Sequence, residues 1–238
     1  MMSLVVRDLI SGYGKIEILH GVSIRADAGS IVGIIGPNGS GKSTLLKSIY
    51  GILRPWEGKI EYNGEDLTGL KPHEMLRKGL SFLLQRRSVF PYLSVQDNLM
   101  MGTWIYRSEP AKQEKLIEEV YNMFPSLKER RNDQARRLSG GMQRMLELGR
   151  ALITDPRGFL IDEFSAGLAP KIAASLYHEI ARLKERQMII ILVEQNVRQL
   201  MEIADYVYVL KEGRMVAEGF AKDLQTRLGE VVKDWLRY

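Results

Sequence analysis

The sequence has no cysteine, only three histidines and no long apolar segment. The lack of cysteine excludes a disulfide framework, thiol catalysis and a cysteine-ligated zinc site. The longest strongly apolar runs, at 31–35 and 188–193, fall far short of the roughly 18 to 20 residues that a membrane-spanning helix requires. The opening residues, MMSLVVRD, include a base and an acid where a signal peptide would be apolar. A cytosolic location is therefore expected.

Blocks of like charge are also missing, although the formal net charge is +5 at pH 7. Basic residues spread in this way fit a solvated surface with a bias toward anionic ligands better than a nucleic-acid-binding surface. The 238 residues, 45% of them hydrophobic, can bury a substantial core, which excludes a disordered chain. We expect a single domain across residues 1–238.

Short apolar runs alternate with amphipathic segments through much of the chain. This alternation predicts an α/β fold whose mostly parallel sheet carries helices on both faces. In the predicted helix at 170–186, apolar residues recur on one face, and Pro170 suits the first turn. The predicted buried strands are 29–35, 159–161, 188–193 and 206–210, and the predicted helices between them are 42–50, which Gly51 ends, and 170–186.

The N-terminal third of the chain has a different texture. Its β-rich stretches at 4–10, 21–24 and 59–62 predict an antiparallel β flank beside the parallel core. The Asn63-Gly64 pair after the last stretch is a signal for a tight hairpin turn.

Strand signals disappear in the middle of the chain, from about 86 to 137. Residues 110–124 form a charged amphipathic pattern that ends at Pro125, which predicts a helix. A helical subdomain is therefore expected over about 86–150. Residues 223–235 also carry apolar side chains at helical spacing and predict a C-terminal docking helix.

Residues 36–43 read GPNGSGKS and match the phosphate-binding pattern G-x-x-x-x-G-K-[ST] between a predicted strand and a predicted helix. The three glycines permit backbone angles that are closed to other residues, so successive N–H groups can turn toward phosphate oxygens. The start of the following helix adds partial positive charge. The predicted ATP-binding residues of this loop are Gly36, Pro37, Asn38, Gly39, Ser40, Gly41, Lys42, Ser43 and Thr44.

Phosphoryl transfer also requires a carboxylate that holds a metal ion and a group that orients or deprotonates water. Lys42 can reach the β and γ phosphates, and Ser43 can ligate Mg²⁺. The apolar strand at 159–161 ends in Asp162 and Glu163, at the sheet edge where ligands bind in open α/β folds. Asp162 is the predicted Mg²⁺ partner, through water, and Glu163 is the predicted catalytic base or water-orienting group.

A second glycine motif, LSGGMQ at 138–143, precedes a predicted helix that runs to about Ile153. Ser139, Gly140 and Gly141 open this helix and offer N–H groups and a hydroxyl to an anion. Because one nucleotide needs only one phosphate-binding loop, the motif is predicted to complete the nucleotide pocket of another subunit. The local pattern leaves an ordinary helix cap open as the alternative.

In this order and spacing, the motifs resemble the ATP-binding subunit of an ABC transporter over nearly the whole chain. Residues 36–44 resemble the Walker A loop, 138–143 the family signature and 159–163 Walker B. The resemblance implies the ABC ATPase fold, with ATP and Mg²⁺ as ligands. It also implies that Gln85 is the Q-loop residue at the entry to the helical subdomain and near the metal, and that Tyr13 stacks on adenine, for which a ring face is suited.

Three further segments resemble the shorter ATPase subunit of branched-chain amino acid importers. They are VFP at 89–91, SAGLAP at 165–170 and VEQN at 193–196. This likeness implies ATP hydrolysis that drives transport of branched-chain amino acids across the cytoplasmic membrane. Related urea or amide importers share much of the pattern, and export of a lipid or drug is a further alternative.

The chain departs from the family pattern at several positions. Gln195 stands where most members have a histidine that contacts the γ-phosphate; a glutamine can hold a phosphate oxygen or a water but cannot carry a proton charge near neutral pH. Gln195 is therefore a predicted catalytic residue. With this glutamine, ATP hydrolysis is expected to be weaker than in members that have the histidine, or to be coupled differently. Ala169 stands in place of an interface aspartate, while Phe164 and Met142 are expected to alter backbone and packing.

The resemblance implies a head-to-tail pair, of this chain with itself or with a sister ATPase. It also implies transmembrane permease subunits, an indirect link to a substrate-binding protein, a place on the inner face of the cell membrane, and no nucleic acid. A soluble ABC-type ATPase that acts on DNA or the ribosome is a rival, but it would carry a coiled-coil insertion, zinc cysteines or two cassettes. A small-molecule kinase is a second rival, which the second glycine motif and the paired acids disfavour.

Overall fold

The computed structural model describes residues 2–85 and 88–225. The strands are β1 (Ser3–Tyr13), β2 (Ile16–Asp27), β3 (Ser30–Ile35), β4 (Glu57–Tyr62), β5 (Glu65–Asp66), β6 (Leu80–Leu83), β7 (Gly158–Asp162), β8 (Ile189–Val193), β9 (Tyr206–Lys211) and β10 (Arg214–Phe220). The helices are α1 (Lys42–Ile49), α2 (Pro72–Arg77), α3 (Val95–Gly102), α4 (Pro110–Met123), α5 (Pro125–Glu129), α6 (Gly140–Leu152), α7 (Pro170–Arg182) and α8 (Val197–Ile203).

Six strands form a central sheet in the order β10-β9-β3-β8-β7-β6, parallel throughout except between β10 and β9. Both faces of this sheet are buried, because side chains alternate between two hydrophobic cores. In β8, Ile190 and Leu192 belong to one core, and Ile189, Ile191 and Val193 belong to the other. The predicted mostly parallel sheet is thereby confirmed.

A second, four-stranded sheet in the order β2-β1-β4-β5 is antiparallel and packs over α1 and one face of the central sheet. This is the predicted antiparallel flank. β4 and β5 are joined by Asn63 at φ 55° and Gly64 at φ 81°, the left-handed pair of a tight hairpin turn. The turn signal in the sequence is therefore confirmed.

Helices α3 to α8 contribute to the hydrophobic core on the other face of the central sheet, where α4 and α5 pack on α6. Between β6 and β7 the described residues contain helices and no named strand, and α4 ends just before Pro125 as predicted. The helix predicted over 170–186 is α-helical only to Arg182, after which 183–186 tighten into a 3₁₀ turn. Treating 86–150 as a separate subdomain stays a prediction, and most of the helix expected at 223–235 lies outside the described residues.

The turn between β9 and β10 links both sheets to the phosphate-binding loop. Gly213 accepts a hydrogen bond from the His20 amide in β2 at 2.9 Å, and its own amide donates to the Ser40 carbonyl at 2.9 Å. Its φ is 72°, and a Cβ there would stand 1.9 Å from the Ile18 carbonyl oxygen. Only glycine satisfies both the backbone angle and this close approach.

Gly213→Ala and Gly64→Ala form a matched pair for stability measurements. Both residues have positive φ, but a Cβ at Gly64 would meet nothing within 4 Å. We expect Gly64→Ala to lower the free energy of unfolding by about 1 to 2 kcal/mol, the cost of left-handed backbone for a residue with a Cβ. Gly213→Ala should cost about 1 to 3 kcal/mol more, because strand β2 must move away. Equal losses in urea denaturation would contradict the link.

Candidate active site

The predicted phosphate-binding loop lies between the end of β3 and the start of α1, as the pattern requires. Gly36, Gly39 and Gly41 have φ of 155°, 79° and 104°. At Gly36 a Cβ would stand 2.0 Å from the Leu210 carbonyl oxygen, so the loop packs directly on the end of β9. Gly41 is the N-cap of α1 and provides no side-chain cap, so the N–H groups of the first turn can serve an anion instead.

Lys42 is buried and folds back on this loop. Its Nζ donates to the carbonyl oxygens of Gly36 and Pro37, both at 2.9 Å. Burial lowers the pKa of the Lys42 ammonium, and the nearby charges of Glu163 and Asp162 oppose that shift. A phosphate group would give this cation the anionic partner that the two neutral carbonyls do not.

Asp162 ends β7 and is only 2% exposed. Its Oδ1 accepts a hydrogen bond from Ser43 Oγ at 3.0 Å. Burial raises the pKa of the Asp162 carboxyl, and the Ser43 hydrogen bond opposes that shift.

A hydroxyl, one carboxylate and the nearby Gln85 amide fit Mg²⁺, which usually takes one or two carboxylates together with phosphate and water oxygens. The described residues contain no cluster of three or more histidine, aspartate or glutamate side chains that could hold a metal ion.

Glu163 stands at the centre of the predicted catalytic residues. It is 5% exposed, has φ 42°, and donates its amide to the Val193 carbonyl at 2.9 Å. A positive φ is uncommon for a residue with a long side chain and indicates that the surroundings impose it. Its Oε2 accepts hydrogen bonds from Gln195 Nε2 at 2.8 Å and from Gln85 Nε2. Two amides from different loops therefore hold one carboxylate oxygen.

A cleft of about 460 Å³ opens over these groups. Tyr13, at the end of β1, is 43% exposed on its rim, and its hydroxyl accepts from Lys47 Nζ at 3.3 Å. The structure thus brings together residues that are far apart in the sequence. The lining residues are Tyr13, Ile18, Asn38, Gly39, Gly41, Lys42, Ser43, Thr44, Gln85, Glu163 and Gln195.

The second glycine motif is not part of this cleft, since no described lining residue comes from 139–141. Ser139 is the N-cap of α6, where its Oγ accepts from the Met142 amide at 3.3 Å. Ser139 is exposed, and Gly140 and Gly141 are half-buried. The helix cap is therefore real, and the same end of α6 remains accessible to a ligand held by another molecule.

Glu194 was missed in the sequence, where it stands out only as an acid after an apolar run. It is 2% exposed and receives hydrogen bonds from the Ser165 amide at 3.1 Å, Ser165 Oγ at 3.0 Å and the Gln195 amide at 3.3 Å. Burial raises the pKa of the Glu194 carboxyl. These contacts connect the segment after Glu163 to the backbone of Gln195.

The sequence profile of the ABC transporter family matches residues 19–166. The chain belongs to this family, and with the fold and cleft described above it is an ATP-binding, ATP-hydrolysing subunit of an ABC transporter. Crystal structures of two ABC transporter cassettes support this assignment. A nucleotide-free cassette is 28% identical with a TM-score of 0.85, covering 96% of both chains. A cassette in its ADP conformation is 28% identical with a TM-score of 0.87, covering 100% of both chains.

Three curated relatives are similar to this chain over most of its length. BraG, a high-affinity branched-chain amino acid transport ATP-binding protein of Pseudomonas aeruginosa, is 42% identical over 86% of this chain and 87% of its own. LivF, a probable branched-chain amino acid transport ATP-binding protein of Archaeoglobus fulgidus, is 37% identical over 91% of each chain. LptB, the lipopolysaccharide export system ATP-binding protein of Haemophilus influenzae, is 30% identical over 92% and 91%.

Asp162→Asn should stabilise the nucleotide-free protein at neutral pH. Because burial raises the pKa of Asp162 above its ordinary value of 3.8, its ionisation reduces the stability of the fold as the pH rises past that value. Asparagine cannot ionise but still offers Oδ1 to Ser43. We expect a higher unfolding temperature than wild type near pH 7.5, with the difference shrinking toward about pH 4.

Asp66→Asn is the control of opposite sign. The side-chain and backbone hydrogen bonds of Thr68 lower the pKa of Asp66, so its ionised form favours the fold above the ordinary pKa. This variant should not gain stability at neutral pH. Equal behaviour of the two variants across the pH range would contradict the electrostatic account of Asp162.

Proposed function

We propose that this chain hydrolyses ATP to drive an importer of branched-chain amino acids. The observation that carries the hydrolytic part is the single cleft in which Lys42 and Ser43 meet Glu163 and Gln195. The likeness to BraG and LivF supports the substrate class. The likeness to LptB supports a second candidate, an exporter of a lipid, within the same transporter class.

In the proposed reaction, the phosphate-binding loop and Lys42 hold the phosphates of ATP while Tyr13 stacks on the adenine ring. Mg²⁺, held by Ser43, Asp162 and Gln85, would neutralise negative charge on the phosphate oxygens. Both described hydrogen bonds to the Glu163 carboxylate fall on Oε2, so we assign Oε1 to the attacking water.

Glu163 then orients this water or takes its proton as the water oxygen attacks the γ-phosphorus. The bond between that phosphorus and the β–γ bridging oxygen breaks, which releases ADP and phosphate.

The position of the second glycine motif supports a paired arrangement. Ser139, Gly140 and Gly141 lie outside the chain's own cleft, at an accessible helix start that suits an anion. In a head-to-tail pair, this motif would contact the ATP held by the other subunit, which is either a second copy or a sister ATPase. Binding of ATP would then join the subunits, and loss of the products would release them.

An exposed apolar surface supports the proposal that this chain contacts permease subunits. Among the described residues, large apolar side chains are exposed around α3 and the turn after it, including Tyr92 at 71% and Trp104 at 65%. A groove of about 340 Å³ is lined in part by Phe90, Met101 and Trp104. Clustered exposed apolar groups mark protein or membrane contacts. No helix in the described part of the chain is long and apolar enough to cross a membrane. In the proposed complex, we assign the membrane crossing and the contact with a substrate-binding protein to partner subunits.

Two substitutions separate binding of ATP from its hydrolysis. Lys42→Ala removes a charge-assisted phosphate contact and should weaken ATP binding roughly 10- to 100-fold. Glu163→Gln keeps the phosphate contacts, so it should bind ATP as wild type does, accumulate as an ATP-bound pair and lose about 10²- to 10⁴-fold in kcat.

Lys59→Ala, at an exposed lysine paired with Glu61, is the control and should leave both quantities unchanged. ATP binding is measured by equilibrium titration and hydrolysis by phosphate release. Normal steady-state hydrolysis by Glu163→Gln would refute the assignment of the base.

The substrate class is tested in the intact complex. Affinity purification of this chain from detergent-solubilised membranes should recover permease subunits and identify any sister ATPase. In liposomes, ATP hydrolysis by that complex should rise when its substrate-binding protein is loaded with leucine. Urea or short amides serve as comparison ligands. Stimulation by a lipid, with no response to leucine, would establish the exporter instead.

A further inference from the structure

An ion pair between Arg144 and Glu147 lies buried on α6, one turn inside the helix that Ser139 caps. The two residues are 5% and 1% exposed, and Arg144 Nη1 lies 2.7 Å from Glu147 Oε2. Burying two charges is costly unless their remaining donors and acceptors are also satisfied. The other hydrogen-bond partners of Arg144 and Glu147 therefore show which parts of the chain this ion pair holds.

The other hydrogen bonds of Arg144 reach the loops that carry the catalytic side chains. Nη1 also donates to the Leu84 carbonyl at 2.9 Å, and Leu84 directly precedes Gln85. Nε donates to the Phe164 carbonyl at 3.0 Å, and Nη2 makes a long contact of 3.5 Å with the Asp162 carbonyl. One planar guanidinium therefore touches the backbone before Gln85 and on both sides of Glu163.

The same helix also holds the chain beyond Gln85. Glu147 Oε1 accepts a hydrogen bond from the Ser88 amide. One turn further along α6, Arg150 Nη2 donates to the Ser88 carbonyl at 2.6 Å and to its Oγ at 2.8 Å. The segment that carries Gln85 is thus fastened to α6 at Leu84 and again at Ser88.

We propose that Arg144 and Glu147 are positioning residues that link the placement of the α6 N-terminus to the geometry of Gln85 and Glu163. The inference rests on the proposed function in one respect, that Ser139, Gly140 and Gly141 contact ATP held by a second subunit. A helix moves as a rigid element, so a shift at its start displaces the guanidinium. Because Gln85 and Glu163 share a hydrogen bond, the shift changes the position of both. Occupation of one nucleotide site would then alter catalysis at the other.

The first test replaces the pair by apolar residues, Arg144→Met with Glu147→Leu, which leaves no unpaired buried charge. The phosphate-binding loop is not contacted by either residue in the described hydrogen bonds, so KM for ATP should stay within about twofold while kcat falls at least about tenfold. The control is Glu179→Leu with Arg182→Met, an ion pair of the same spacing on α7 with Arg182 in solvent. An unchanged kcat in a folded apolar pair would overturn the proposal.

Arg144→Lys separates positioning from simple charge pairing. Lysine can keep the ion pair with Glu147, but a single ammonium cannot reproduce the planar fork that bonds Leu84, Phe164 and Glu147 together. Positioning therefore predicts normal folding with a reduced kcat. If lysine restores full kcat, the pair serves only the fold and the proposal fails. This variant also keeps the test valid if the apolar pair does not fold.

Hydrogen exchange gives a readout that does not depend on hydrolysis. The Ser88 amide should exchange roughly tenfold faster in the apolar pair than in wild type, because its acceptor is lost. The β3 and α1 amides should not change. Unchanged Ser88 exchange would overturn the proposal even if kcat falls. ATP hydrolysis by the wild type is measured in parallel, and its absence would refute the proposed function. Exchange of the Ser88 amide would still decide whether the Arg144–Glu147 pair is linked to the segment that carries Gln85.

Discussion

The site depends on the alignment of four parallel strands at one edge of the central sheet. In the order β3, β8, β7 and β6, register pairs Ile34 with Val193, Asp162 with Val193, and Leu83 with Ile161. Each strand therefore ends at the same level, and each is followed by one part of the site. The phosphate-binding loop follows β3, Gln195 follows β8, Glu163 follows β7 and Gln85 follows β6. Residues separated by more than a hundred positions meet because hydrogen-bonded strands cannot slip without turning buried side chains to the wrong face.

Electrostatics explain why this edge of the sheet is suited to a phosphorylated ligand. Without such a ligand, the charges of its buried side chains are only partly compensated. Burial lowers the pKa of Lys42 and raises that of Asp162, so the fold works against the charge of both. A phosphate chain with a divalent cation would supply an anion for the first and a cation for the second. Groups arranged in this way lower the stability of the empty protein and contribute to function when the ligand binds.

The sequence predicted the elements whose causes are local. The glycines of the phosphate-binding loop, the Asn63-Gly64 turn and the end of α4 before Pro125 all depend on neighbouring residues, and each was placed correctly. The hydrogen bond from Gln85 to Glu163 joins residues 78 positions apart and depends on strand order, which no local pattern shows. Glu194 and Arg144 were missed for the same reason. A buried charge looks ordinary in a sequence until its distant partners are known.

The absence of a histidine beside Glu163 changes how the site can be controlled. Gln85 and Gln195 hold its carboxylate through amide groups, which neither gain nor lose protons near neutral pH. Protonation of these two amides therefore cannot switch their hydrogen bonds to the carboxylate on or off. Displacement of the loops would break these contacts, and both loops are held by other parts of the fold. Gln195 is held through Glu194 and Ser165, and Gln85 through α6. If the proposed roles of Gln85, Glu163 and Gln195 hold, the residues that anchor these two loops matter to the regulation of hydrolysis as much as those proposed to contact ATP.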